Sequence, residues 1–181
     1  LSEGSRLRVT NPSGTDLTLR LVGVTGNSHA CLLDGPGFSA VPNIEANCAP
    51  TQGTAEGVFV CDGSIPYYGV GPIRHPITFR ISEGFVTDIE GGDQARFLAS
   101  LLAEQEDLWV YNLAQFAFGL NPACTIFTGE MLNDEGVNGT MPGLCVALAG
   151  SNSDVKPNAR LPIIEEPHEN CCRKKCIALS L

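Results

Sequence analysis

Residues 76–106, "PITFRISEGFVTDIEGGDQARFLASLLAEQE", constrain the fold more than any other stretch of the chain. Ile77, Phe79 and Ile81 alternate with polar residues and so share one face of a strand. Glu83-Gly84 supplies a tight turn, and Phe85 to Ile89 returns as the second strand of a hairpin. Two glycines end that strand, and Asp93 follows in position to cap a helix. Ala95, Leu98, Leu101 and Leu102 recur at helical spacing, which predicts a helix over residues 93–106. A one-faced hairpin followed by a one-striped helix calls for a sheet with a helix laid against it.

The flanking segments extend that plan. "RLRVT" and "LTLRLVGV" read as strands separated by the turn "NPSGTD", and "GVFVCDGSI" reads as a short apolar strand that runs into a turn. After the long helix, residues 112–118 predict a second, shorter helix that ends at Gly119 and is stopped by Pro122. "LCVALAG" predicts a buried strand. The order is strands, helix, short helix, strands. That is α+β: a mixed, mostly antiparallel sheet with one or two helices packed on it. No repeat or linker divides the 181 residues, so they read as a single domain, with irregular structure expected in the last 25.

The formal charge is −9, and the only basic cluster is Arg173, Lys174 and Lys175. Nucleic acid and anionic membrane surfaces both need clustered positive charge, so neither is expected as a partner. No apolar run approaches the ~18 residues of a membrane-spanning helix. Nothing at Leu1 resembles a signal peptide, and a start without Met is what a processed chain or a fragment would show. Five of the eight cysteines, at 31, 48, 61, 124 and 145, stand singly among apolar or glycine-rich residues. Such a pattern suits buried free thiols and a reducing cytoplasm, although Asn138-Gly139-Thr140 is an acceptor sequon.

The chain has no G-x-G-x-x-G turn, phosphate-binding G-x4-G-K-[ST] loop or G-x-S-x-G elbow. Three histidines, His29, His75 and His168, are available. His168 sits in "EEPHENCC", where neighbouring carboxylates would orient its ring and raise its pKa, or where the whole run is a solvated charged turn. Glu45, in "PNIEANCAP", lies between apolar residues and must be paired, metal-bound or turned to solvent. Gln115 lies between Ala114 and Phe116, so its amide needs partners if it is buried. Asn121, Glu130, Asn133, Asp134 and Glu135 follow, and "NDEG" by itself reads as an ordinary capped or exposed turn. Cys171, Cys172 and Cys176 lack the paired C-x2-C spacing of a structural zinc site.

Five pieces carry a resemblance: "PNIEANCAP", "GVFVCDGSIPYYGVG", "PITFRISEGFVTDIEGG", "GLNP" and "GEMLNDEGVNGT". In order and spacing they resemble the C-terminal domain of the family that holds the aminopeptidase T-type metallo-aminopeptidases and the 2,5-dihydroxypyridine 5,6-dioxygenases. The early "NPSGTDLTLRL" resembles it too. The resemblance implies the C-terminal half of a two-domain protein, a divalent metal (zinc, manganese or iron), a small-molecule or peptide substrate, and a homodimer. Its hydrolases are two-metal enzymes that activate water, and its dioxygenases use two His and one carboxylate on iron with open positions. Glu45 matches the glutamate of the first motif and is implied as ligand or base. Gln115 stands where the family has Glu or His, and is implied to orient substrate or a metal-bound water. After "GVNGT" the family places a His, whereas this chain has Met141 and Pro142, so residues 141–181 read as a divergent tail. The family's closing H-x-D corresponds to His168 and Asn170, implied as metal ligands. Tyr67, Tyr68 and Asn121 are implied on the substrate side. With Glu45 kept, an aminopeptidase-like hydrolase is the first expectation, a ring-cleaving dioxygenase the second, and a non-catalytic member of the fold the third.

Overall fold

The computed structural model describes residues 1–37, 39–66 and 69–138 in full, and the backbone of two further strands at 144–148 and 177–180. The fold is α+β, and every pairing between named strands is antiparallel. The strands divide between two sheets. The first is built from β1 (Arg6–Thr10), β2 (Asp16–Arg20), β5 (Glu56–Cys61), β8 (Ile77–Ser82) and β9 (Phe85–Glu90), in the order β1-β2-β5-β8-β9. The second has the order β3-β4-β10-β11-β12-β6-β7. Its members are β3 (Asn27–His29), β4 (Glu45–Cys48), β6 (Ser64–Ile65), β7 (Gly71–Pro72), β10 (Leu113–Gly119), β11 (Leu144–Leu148) and β12 (Ile177–Ser180).

The hairpin forms as its sequence dictates. Ile77, Phe79 and Ile81 are buried while Arg80 and Ser82 are exposed. Glu83 and Gly84 both take positive φ, 50° and 80°, as a two-residue turn that matches strand twist requires. Gly84 also lets the turn close on the loop below, because a Cβ there would lie 2.9 Å from the Gly53 backbone. The helix α1 runs Asp93–Ala103, three residues short of its expected end, and buries Ala95, Leu98 and Leu102. Its cap is Gly92 rather than Asp93, which instead sits in the first turn, where its charge suits the helix dipole. One core joins the elements. Leu17, Leu19, Phe59, Ile77 and Phe79 of the first sheet meet Leu98 and Leu102 of α1 and Cys48, Leu113 and Phe116 of the second sheet.

The helix expected over 112–118 is a strand. β10 is paired on both sides, to β4 and to β11, and four of its apolar side chains, Leu113, Ala114, Phe116 and Ala117, are 2 % exposed or less. A strand covered on both faces loses the alternation that would mark it, and the resulting apolar run mimics a short buried helix. The "LCVALAG" segment does form a strand, β11. Among the described residues Cys31, Cys48, Cys61 and Cys124 are free thiols, the last three buried, and burial pushes Cys48 up to about 11. No helix among the described residues is long and apolar enough to cross a membrane.

Candidate active site

The register of β4 against β10 sorts their side chains onto two faces. Glu45 lies opposite Gly119, Asn47 opposite Ala117, and Cys48 opposite Phe116. Directly opposed residues share a face and the face alternates along a strand. Cys48 and Phe116 therefore point into the core, and Glu45, Asn47, Gln115, Ala117 and Gly119 line the other side. His29, opposite Glu45 on β3, belongs to that second side as well. It is polar yet closed: Glu45 is 1 % exposed and Gln115 8 %.

The cover is the short helix α2 (Met131–Glu135) and the chain just after it. It comes close because position 119 is glycine, where a Cβ would lie 2.4 Å from the Val137 carbonyl oxygen and 2.6 Å from that of Glu135. Gly136 presses on the other edge, with a hypothetical Cβ 3.0 Å from the Pro42 carbonyl oxygen. Asn121 ties these pieces together. Its backbone N–H donates to the Gly136 carbonyl at 3.0 Å, its Nδ2 to the Pro42 carbonyl at 2.7 Å, and its Oδ1 accepts from Ala123 N–H at 2.9 Å. The amide expected on substrate is thus engaged at both ends by backbone.

The "NDEG" turn, expected to be capped or exposed, delivers two buried acids: Asp134 is 2 % exposed and Glu135 5 %. The two meet opposite environments. Burial works to raise the Asp134 pKa, but hydrogen bonds from Ser64, Thr128, Asn133 and Gly129 together hold it below the ordinary value. Among the described residues Glu135 accepts a hydrogen bond from Asn43 Nδ2 at 2.8 Å. Burial, then the charge of Glu45, then that of Asp134, raises it to about 8. Glu45 is raised to about 7 by burial, against the pull of Asn47, whose Nδ2 donates to Oε1 at 2.6 Å.

Among the described residues, two further oxygens on this face are buried without a hydrogen-bond partner: Oε2 of Glu45 and Oδ1 of Asn43. Both are acceptors, so the described residues leave the pocket short of positive charge or donors. A divalent cation is one chemical species that would satisfy two carboxylates and an amide oxygen together. The donor set fits such an ion in part, since no three His, Cys, Asp or Glu side chains converge among the described residues. His168, Asn170, Tyr67 and Tyr68 lie outside the described residues, as do Met141, Pro142 and the Cys171–Cys172–Cys176 cluster. Beside the face, a groove of about 500 Å³ is lined by Val41, Pro42, Pro66, Gly129, Glu130 and Met131, among others. The sequence singles out Glu45 and Gln115 separately, with Gln115 on a predicted helix; their common face comes from the strand register, and Asn43, Asn47 and the burial of Glu135 were not anticipated. The one local signal was the density of Asn and Glu in "PNIEAN".

A closed polar face between a two-sheet core and a short acid-bearing helix defines the class: an α+β domain whose buried acids make no ion pair among the described residues. The chain belongs to the 2,5-dihydroxypyridine 5,6-dioxygenase (NicX) family, whose model matches residues 1–148. It is 27 % identical over 179 residues to the 2,5-dihydroxypyridine 5,6-dioxygenase of Pseudomonas putida, covering 94 % of this chain and 51 % of that one. The solved structure of the P. putida KT2440 dioxygenase superposes with a TM-score of 0.75 at 20 % identity, over 99 % of this chain and 50 % of that one. AmpT from Thermus thermophilus superposes with a TM-score of 0.59 at 23 % identity, over 79 % and 36 %. The chain thus spans about half the length of the P. putida enzyme.

Proposed function

We propose that this chain is the metal-holding half of a ring-cleaving dioxygenase acting on a small hydroxylated aromatic ring. The observation that carries the reading is the buried Glu45–Glu135 pair with Asn43, which leaves two acceptor oxygens unsatisfied in a chain of the dioxygenase family. Glu45 holds the divalent metal, with His168 and Asn170 as the further ligands that the sequence implies. The metal, iron on this reading, would supply the Lewis-acid and redox chemistry that ring cleavage by O2 needs. The chain's own residues do the rest. Asn47 holds Glu45 Oε1 and so fixes which oxygen is free. Gln115, on the same face, orients substrate through its amide. Glu135 is protonated at neutral pH, and because Oε2 accepts from Asn43, its proton sits on Oε1, from which it can pass to a ring oxygen. Tyr67 and Tyr68 are the substrate-side residues that the resemblance implies. Asn121 braces the wall.

The carboxyl pair itself favours a second reading, metal-dependent peptide hydrolysis, in which Glu45 is ligand or base and water is the nucleophile. The family match supports taking the dioxygenase first, the reverse of the order expected from the resemblance alone. One experiment separates them. The intact protein is loaded anaerobically with Fe(II) and given 2,5-dihydroxypyridine in aerated buffer, while a zinc- or manganese-loaded sample is given leucine amide. Oxygen uptake matched to loss of ring absorbance supports the first reading, and ammonia release without oxygen uptake supports the second. Bound metal with neither activity overturns both.

A further inference from the structure

We propose that Asp134 is a positioning residue: it fixes α2 so that Glu135 is delivered onto Asn43 and towards Glu45. The inference rests on the reading of that acid pair as the site. The Asp134 carboxylate gathers five hydrogen bonds. Oδ1 accepts from Thr128 N–H at 2.8 Å, Thr128 Oγ1 at 3.0 Å and Asn133 Nδ2 at 2.9 Å. Oδ2 accepts from Ser64 Oγ at 2.5 Å and Gly129 N–H at 2.8 Å. The donors come from three places: strand β6, the turn ahead of α2, and α2 itself.

Five residues cannot hold a helix in water, because nucleation alone outweighs the bonds they form. Glu130, at the N-cap, makes no side-chain cap bond. The direction of α2 is therefore set from outside. Its C-terminal end is pinned at Gly136 by the Asn121 N–H and by the tight seat on Gly119. Its N-terminal end is pinned by Asp134 through Ser64, Thr128 and Gly129. Glu135 lies between the two anchors, and its hydrogen bond to Asn43 exists only while both hold. An Asn at position 134 could not replace the anchor, since its NH2 group would face donors on whichever side it occupied.

A purely local cap would stabilise the turn and do nothing to Glu135, and a double-mutant cycle distinguishes the two roles. The intact protein is studied metal-free in EDTA by urea denaturation, with Asn43→Ala as the reporter of Glu135 placement. Ser64→Ala removes one Asp134 donor and is milder than Asp134→Asn. Asn43 and Ser64 share no hydrogen bond, so independent effects would add. The expected result is that Asn43→Ala lowers the folding constant about tenfold in the parent and about threefold or less in Ser64→Ala. In a Glu135→Ala background the two changes should become additive. Additivity in the parent overturns the proposal, as does coupling that survives in Glu135→Ala. Loss of the enzyme reading would appear separately, as absent turnover in the metal-loaded protein, and leaves this metal-free cycle intact.

Discussion

The first sheet and the polar face of the second both bury side chains, but to opposite ends. In the first sheet Leu17, Leu19, Phe59, Ile77 and Phe79 are fully buried, and charges stay outside in exposed pairs, Arg8–Asp16 and Arg80–Glu90. On the polar face Asn43, Glu45, Gln115, Asp134 and Glu135 are buried, and no ion pair among the described residues reaches Glu45 or Glu135. One region minimises free energy, while the other holds two carboxyl groups where their charged forms are disfavoured. Such an arrangement costs stability and is retained where a ligand or a reaction uses it.

Substitutions should separate the regions, beginning with the largest effect. Phe59→Ala empties the centre of the first sheet and should cost about 3–5 kcal/mol in urea denaturation. Where the variant remains folded, the proton affinity of the acid pair should be unchanged. An equal perturbation of both would erase the distinction.

The acid pair should behave in the opposite sense. Glu45 and Glu135 have folded pKa values of about 7 and about 8, raised above an ordinary 4.5. The folded state then keeps protons that the unfolded state releases. The pair's contribution to metal-free stability is greatest below about pH 4.5 and is lost as pH rises from there to between 7 and 8. Glu45→Gln should stabilise the metal-free protein at pH 8 by on the order of 2–3 kcal/mol and do little at pH 5. Thermal melts in EDTA at the two pH values check this, and a loss of stability at pH 8 would contradict it.

Asn47→Ala should have a smaller effect. It frees Glu45 Oε1 and removes the hydrogen bond that favours the carboxylate. Metal affinity should fall about tenfold, measured by calorimetry. Asp16→Asn, at the exposed Arg8 pair, should leave both melting temperature and metal affinity within error.

The same contrast explains what could be read from the sequence. The hairpin at 77–90 and the core of α1 were legible because each has one face in solvent, so the period of the pattern survives. Gln115 was placed on a helix because β10 is covered on both sides and shows no period. The burial of Asp134 and Glu135 is set by Gly119, sixteen residues from Glu135, and by Asn43, ninety-two residues away. No local window contains that information. Glu45 was legible because a lone acid in an apolar stretch demands a reason, and its reason, a closed face shared with Gln115, appears only in the strand register.

The most direct test of the account is metal binding by the intact protein at pH 6, followed by calorimetry in buffers of different ionisation enthalpy. If Glu45 is protonated in the free site and an ion takes the place of its proton, Fe(II) or Zn(II) must displace that proton as it binds. The account predicts stoichiometric uptake with proton release that disappears, together with binding, in Glu45→Gln. Metal bound with equal affinity by Glu45→Gln, or bound by the parent without proton release, would contradict it.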